Sequence, residues 1–153
     1  MNKCVFAGSF DPITNGHLEI IEKASKVYSQ VIVGVLVNWD KEYLFSKEDR
    51  FSMVEEACRI FKNVQVKSYD GTLVDFLRQE ETNVYVRGIR DEKDLEYENA
   101  CKKYHQKFLP QIEYVYFCSE KSKDISSTKI KEMAKAGLNI STFVPKCVIK
   151  YFK

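Results

Sequence analysis

Continuous apolar runs alternate along the chain with segments whose apolar residues recur at helical spacing. The run at residues 31–37 is apolar throughout instead of every second residue, which is typical of a parallel strand covered on both faces. The pattern predicts strands at residues 3–7, 31–37, 64–67, 84–87 and 114–118. It predicts helices at residues 15–28, 47–61, 72–80, 92–108, 126–136 and 142–151.

This alternation of strand and helix predicts a doubly wound, Rossmann-like α/β fold. We expect a parallel five-stranded sheet in the order 3-2-1-4-5, with right-handed crossovers and helices on both faces. Ligands of such sheets bind beyond the carboxyl ends of the strands, where the strand order reverses. No repeat or linker divides the chain, so residues 1–153 are predicted to form one domain.

Capping residues mark several predicted helix ends. Ser46 with Asp49 resembles a cap for the second helix, and Gly137 is a plausible stop for the helix at 126–136. We expect Ser141 or Thr142 to start the last helix.

The turn Gly8-Ser9-Phe10-Asp11-Pro12-Ile13-Thr14-Asn15-Gly16-His17 joins the first strand to the first helix. A glycine turn at a helix N-terminus directs backbone N–H groups at one spot, which suits a phosphate. We expect Gly8 to adopt backbone angles closed to other residues, and Thr14 to cap the helix. His17 at this spot favours phosphate chemistry over binding alone. The charge of its ring is open, because the helix N-terminus lowers a histidine pKa and phosphates raise it.

A second candidate sequence, Arg87-Gly88-Ile89-Arg90, ends the fourth strand. A guanidinium at the end of an apolar strand matches phosphate oxygens. The alternative is a surface ion pair with the carboxylates that follow at residues 91–94. In the predicted strand order, this sequence and the first turn face one crevice.

Three further segments have weaker signals. Residues 124–131 place three hydroxyls at a helix start, where they serve either as anion donors or as ordinary N-caps. Lys41 lies on a polar loop, and Glu98 lies on a charged helix face that predicts solvation. His105, within a basic segment, is interpreted as a surface residue.

Composition excludes several classes of protein. The net charge is +2 with both signs interspersed, so we expect no nucleic-acid partner. No apolar stretch approaches the length of a membrane span, so we expect no membrane partner and a cytoplasmic location. Five scattered cysteines and two histidines predict no metal site built from side chains. The chain lacks the P-loop, the dinucleotide fingerprint after the first strand and the nucleophile elbow.

The motifs resemble those of a known family. Thr14-Asn15-Gly16-His17 resembles the [HT]-x-G-H signature of the nucleotidylyltransferase superfamily, and residues 125–130 resemble its serine-rich second motif. The whole turn at residues 8–17, with residues 87–90 and 94–98, is similar to the bacterial phosphopantetheine adenylyltransferases. The predicted domain is then a single nucleotidylyltransferase domain.

This resemblance implies transfer of AMP from ATP to 4′-phosphopantetheine, giving dephospho-CoA and pyrophosphate. It implies Mg²⁺ accompanying ATP, a homohexamer, and CoA as a further candidate ligand. His17 would stabilise the transition state. Phosphopantetheine would be held by Ser9, Lys41, Leu73 and Arg87. ATP would be held by Ser9, Phe10, His17, Gly88, Ile89, Arg90, Glu98, Ser122, Lys123, Asp124, Ile125, Ser126, Ser127 and Thr128.

The chain departs from the family pattern at a few positions. Ser9 stands where threonine is common and keeps the hydroxyl, whereas Trp39 replaces a frequent proline and Glu42 a frequent lysine. Lys123-Asp124 stands where aromatic or apolar residues are common. The alternatives are a nucleotidylyltransferase acting on glycerol 3-phosphate or nicotinamide mononucleotide, or a nucleotide-binding protein without turnover.

Overall fold

The computed structural model describes residues 2–120 and 124–152. Its strands are β1 (Lys3–Gly8), β2 (Gln30–Leu36), β3 (Val64–Tyr69), β4 (Val84–Ile89) and β5 (Glu113–Cys118). They form one sheet in the order β3-β2-β1-β4-β5, in which every neighbouring pair is parallel. The predicted Rossmann-like sheet and its strand order are confirmed.

Helices cover both faces of this sheet. They are α1 (Asn15–Val27), α2 (Lys47–Cys58), α3 (Leu73–Gln79), α4 (Glu92–Gln106), α5 (Ser127–Lys135) and α6 (Lys146–Ile149), the last followed by a 3₁₀ turn at Lys150–Phe152. Successive residues of β1 point to opposite faces, so Phe6 lies in a core with α1, α2 and α5, and Val5 lies in a core with α3. The central strands are therefore buried on both sides, as their continuous apolar sequence predicts.

The capping predictions have mixed outcomes. The Ser46 hydroxyl accepts the Asp49 N–H at 3.1 Å, and Gly137 follows α5 with a φ of 77°, so both predicted signals are confirmed. The predicted start of the last helix at Ser141 or Thr142 is wrong. Because the residue before a proline disfavours helical angles, the helix begins only after Pro145, which is its N-cap.

Gly88 of β4 lies directly beneath α1. A Cβ atom at residue 88 would lie 2.6 Å from Cγ1 of Ile20, closer than side chains pack. Glycine is therefore needed here for the packing of a helix on the sheet. The same contact fixes the height of α1, which carries His17, above β4.

We expect the Gly88→Ala variant to lower the free energy of unfolding by about 1–3 kcal/mol, because the added methyl overpacks the contact with Ile20. Urea unfolding of both proteins measures the change. Gly8→Ala is the matched control, since a Cβ there meets only the Phe10 ring, at an ordinary 3.6 Å. Equal losses in the two variants would contradict the packing role of Gly88.

Candidate active site

A cleft of about 960 Å³ opens at the carboxyl ends of β1, β2 and β4. β1 and β4 are neighbours, as the order reversal requires, so the first turn and the arginine sequence face one crevice. The residues singled out in the sequence that line this cleft are Ser9, Phe10, His17, Lys41, Leu73, Arg87, Gly88, Arg90, Glu98, Ile125, Ser126 and Ser127.

Three other residues of the predicted set, Ile89, Asp124 and Thr128, are described but do not line the cleft. Ser122 and Lys123 lie outside the described residues. The ligand contacts assigned to the predicted set stay predictions.

His17 lies in the first turn of α1, where it forms a reciprocal cap with Thr14. The Thr14 hydroxyl accepts the His17 N–H at 3.3 Å, and the His17 Nδ1 accepts the Thr14 N–H at 3.0 Å. Histidine here takes the place that glutamate or glutamine has in the usual capping box. Because Nδ1 is an acceptor, the proton of the neutral ring is on Nε2.

The ring of His17 is neutral at physiological pH. Burial lowers its pKa from 6.5 to about 4, and the positive charges of Arg87 and Arg90 act in the same direction. The sequence leaves the charge of the His17 ring open, and the structure without ligands indicates the neutral form. His17 presents an Nε2–H donor to the cleft, rather than a proton-accepting base.

This lowered pKa predicts a pH dependence of stability. Between pH 6.5 and about 4 the unfolded chain binds a proton at His17 that the folded chain does not. His17 therefore contributes stability fully above pH 6.5, and the contribution is lost as the pH falls towards 4. We expect acidification to cost the wild type about 2 kcal/mol more than His17→Gln, whose glutamine keeps the cap. Unfolding curves at pH 7 and 4.5 test this, and parallel losses would contradict it.

The side chain of Phe10 packs against that of His17. Its buried ring lies edge-on to that of His17, with centroids 5.0 Å apart. The backbone of Phe10 has a φ of 51°, a left-handed conformation unusual for a bulky residue. Gly8 does not adopt the angles that are open to glycine alone, since it ends β1 as an ordinary strand residue and the turn reverses at Phe10.

Arg87 is fixed from three directions where β4 meets the cleft. Its Nε donates to Oε2 of Glu98 at 2.7 Å, and its Nη1 donates to the Ala7 carbonyl at 2.9 Å and the Tyr85 hydroxyl at 3.0 Å. Glu98 is only 5% exposed, so the predicted solvated face is wrong at this residue. The carboxylate is retained at this buried position because Arg87 pairs with it.

Arg90 connects β4 to the start of α5. Its guanidinium donates to both carboxylate oxygens of Asp94, at 2.9 and 3.2 Å, and its Nη1 donates to the Ile125 carbonyl at 3.3 Å. Arg90 therefore forms the ion pair that was the alternative interpretation, and it lines the cleft as well. Asp94 leaves part of the guanidinium directed at the cleft.

The serine-rich start of α5 has its hydroxyls engaged. Ser126 is the N-cap and accepts the Lys129 N–H at 3.1 Å, and the Ser127 hydroxyl donates to the Pro12 carbonyl at 2.8 Å. The capping alternative therefore holds for the Ser126 hydroxyl. Anion binding at this end would fall to the free backbone N–H groups of the first helical turn.

Asp11 is a buried junction that sequence reasoning missed. Its carboxylate accepts the backbone N–H groups of Leu44 and Phe45 at 2.8 and 2.9 Å, and Lys131 of α5 lies 3.2 Å away. The first turn, the loop at residues 38–46 and α5 are thereby tied together. The position of this carboxylate between the apolar residues Phe10 and Pro12 is the signal that could have indicated a buried role.

His105 is also placed differently from its interpretation as a surface residue. It is half-buried, with Nδ1 hydrogen-bonded to the Tyr114 hydroxyl and its ring stacked on that of Tyr114. Burial lowers its pKa. Lys103 and Lys107 beside it in sequence are exposed, so the local composition does not indicate the buried contact of His105.

Four of the five carboxylates that line the cleft have protein partners; the fifth belongs to Asp40, in the loop at residues 38–46. Asp70 pairs with Lys47 at 2.9 Å, in addition to the bonds of Asp11, Asp94 and Glu98 described above. Within residues 2–120 and 124–152 no group of three or more histidine, cysteine or acidic side chains is arranged to hold a metal ion. In the same part of the chain, no helix is long and apolar enough to cross a membrane.

The geometry of the cleft agrees with the comparison to known proteins. The cytidylyltransferase-like family model matches residues 5–133. The chain is 42% identical to the phosphopantetheine adenylyltransferase of Clostridium kluyveri, over 97% of this chain and 92% of the relative. It is 43% identical to that of Clostridium tetani, over 98% and 94%. The chain belongs to the phosphopantetheine adenylyltransferase family.

A solved structure supports the fold of this family member independently. It is that of a putative nicotinate-nucleotide adenylyltransferase from Vibrio parahaemolyticus, with a TM-score of 0.69, 21% identity and 99% of both chains covered. At that identity the likeness bears on the fold alone. The overall fold of the chain is therefore shared with that protein.

Proposed function

We propose that this chain is a pantetheine-phosphate adenylyltransferase, which transfers AMP from ATP to 4′-phosphopantetheine and releases pyrophosphate in coenzyme A biosynthesis. The observation that carries the proposal is the near-full-length identity to relatives of that name. The cleft supports it with two arginines, a lysine and a neutral histidine around one space, which suits two phosphorylated substrates.

The reaction suits a site that positions charges and lacks a strong base. The acceptor phosphate is ionised at neutral pH and attacks the α-phosphorus of ATP in line, as pyrophosphate departs. The Nε2–H of His17 would donate to an α-phosphate oxygen as charge develops there. No covalent intermediate is needed, and no side chain has to remove a proton from the nucleophile.

The two substrates would occupy different parts of the cleft. Lys41, Leu73 and Arg87 would hold phosphopantetheine, with Leu73 supplying an apolar contact at the start of α3. Arg90, the start of α5 and the main chain of Phe10 would hold ATP. Ser9 lies between them. Glu98 would act on ATP only indirectly in this arrangement, because its carboxylate already accepts from Arg87.

Mg²⁺ is proposed to enter with ATP. The carboxylates of Asp11, Asp94 and Glu98 already accept hydrogen bonds from protein donors. This arrangement fits an ion whose ligands are mainly phosphate oxygens and water. When bound, the ion would offset negative charge on the ATP phosphates.

The proposal has five further parts. The product is dephospho-CoA, CoA is a further ligand, and the protein acts in the cytoplasm. Residues 1–153 form a single nucleotidylyltransferase domain, and the protein assembles as a homohexamer. Assembly is supported by exposed aromatic residues at the C-terminal end of α4, where Tyr104 and Phe108 are 58% and 50% exposed. Sedimentation velocity measures the oligomeric state.

Pyrophosphate release from a panel of substrates tests the activity. The panel pairs ATP and CTP with 4′-phosphopantetheine, glycerol 3-phosphate and nicotinamide mononucleotide. We expect turnover with ATP and 4′-phosphopantetheine only. Preferred turnover of another acceptor would identify a different nucleotidylyltransferase, and ATP binding without release of pyrophosphate would identify a binding protein.

A further inference from the structure

Arg50, in the first turn of α2, is a buried cation beneath the cleft. It is 1% exposed and does not line the large cavity. Its Nη1 donates to the carbonyl of Ser9 at 2.8 Å and to that of Leu36 at 3.2 Å. The guanidinium therefore holds together the chain segments that leave β1 and β2, at the edge of the sheet where the substrates would bind.

The charge of Arg50 is compensated by carbonyl oxygens and an aromatic ring instead of a carboxylate. In the described parts of the chain no carboxylate lies within 4.0 Å of it, and its buried Nε has no hydrogen-bond acceptor. A buried guanidinium without a carboxylate is costly to fold, and an apolar side chain would fill the same space at lower cost. Packing alone does not account for an arginine at this position.

Tyr43 extends the contacts of Arg50 to the loop at residues 38–46. The guanidinium carbon lies 3.9 Å from the centroid of the Tyr43 ring. The Tyr43 hydroxyl accepts the Asn38 N–H at 2.6 Å and lies 3.4 Å from Oγ of Ser9. The Asn38 carbonyl in turn accepts the Lys41 N–H at 3.0 Å, which closes a turn over residues 38–41.

We propose that Arg50 and Tyr43 are positioning residues that set the distance between Ser9 on the first turn and Lys41 on the 38–41 turn. The inference rests on the proposed function, in which both of these residues hold the acceptor. Arg50 acts through the two segments and does not touch substrate. Its planar fork reaches two carbonyls while its face stacks on the tyrosine, which a lysine cannot reproduce.

The Tyr43→Phe variant tests the inference with little risk to folding, because the ring over Arg50 is kept and only the hydroxyl is lost. We expect the KM for 4′-phosphopantetheine to rise about fivefold, the effect of one lost hydrogen bond, with kcat within about twofold of the wild type. Tyr116→Phe is the matched control, since its hydroxyl is also hydrogen-bonded, donating to Oδ1 of Asn99 at 2.9 Å, away from the cleft.

Trp39 gives a readout that does not depend on turnover. It is the only tryptophan, it belongs to the 38–41 turn, and it is 79% exposed. We expect its fluorescence anisotropy in the protein without ligand to fall in Tyr43→Phe and to stay unchanged in Tyr116→Phe. This measurement tests the positioning of the turn even if the substrate panel identifies another acceptor.

Arg50→Lys and Arg50→Met separate the geometry of the guanidinium from its charge. We expect Arg50→Lys to raise the same KM and lower the anisotropy of Trp39 despite keeping the charge. Where the Arg50 variants fail to fold, as judged by circular dichroism, Tyr43→Phe decides. An unchanged KM or an unchanged anisotropy in Tyr43→Phe would overturn the proposal.

Discussion

The His17→Ala variant is expected to lose about 100- to 1,000-fold in kcat while the Kd for ATP changes only a few-fold. In the proposed mechanism the Nε2–H donor would meet charge that develops in the transition state, and removal of one such donor costs about 3–4 kcal/mol. The ground state would lose much less, because Arg90, which lines the cleft, and backbone N–H groups would still contact the phosphates. The loss therefore falls on the chemical step.

Steady-state pyrophosphate release and calorimetric ATP titration measure the two quantities. The control is His105→Ala, which removes the only other histidine, on α4 and in contact with Tyr114 instead of the cleft. Near-normal kcat in His17→Ala would rule out transition-state stabilisation by this residue. His17→Gln adds a comparison in which the cap on α1 is kept and the imidazole donor is lost.

Arg87→Ala is expected to weaken 4′-phosphopantetheine binding by about 10- to 100-fold, the range for a lost hydrogen bond to a charged group. The same change leaves Glu98 buried without its partner. We therefore also expect a loss of about 3–5 kcal/mol in the free energy of unfolding. The two effects arise from different sides of the guanidinium and can be measured separately.

A double variant separates these effects. Arg87→Ala combined with Glu98→Gln removes the unpaired charge, so we expect it to recover much of the stability lost in Arg87→Ala. Affinity for 4′-phosphopantetheine, measured by calorimetry, should stay low in the double variant. If the affinity for 4′-phosphopantetheine recovered together with stability, Arg87 would support the fold and other groups would bind the acceptor.

The fold was predictable because its signals are local and repeated. The uninterrupted apolar run at 31–37 indicates a strand buried on both faces, and the strand order follows from the connectivity common to such sheets. Errors fell at helix ends. α2 stops at Cys58 and α4 at Gln106, each before the predicted end. Arg59 and Lys107 still have helical backbone angles, so each helix ends through a turn that the sequence pattern does not separate from the helix.

The site was predictable only where its residues form a contiguous motif. His17 lies in the first turn of the helix after β1, and Arg87 lies near the end of the neighbouring strand β4, so the topology brings them together. Asp11 belongs to the first-turn motif, yet it acts, like Tyr43 and Arg50, through contacts with distant segments that the local sequence does not specify. Glu98 shows the same limit, since a charged helix face gives no sign of which carboxylate turns inward.

The junction at Asp11 bears on how acceptor preference could change in this family. Its carboxylate holds the loop through the backbone N–H groups of residues 44 and 45, which every amino acid except proline can supply. The loop sequence between the sheet and this anchor can therefore diverge, or be grafted from a relative, without losing its attachment. Natural variation at Trp39 and Glu42 then costs little in folding, and a new acceptor could be acquired by exchanging side chains on a fixed backbone.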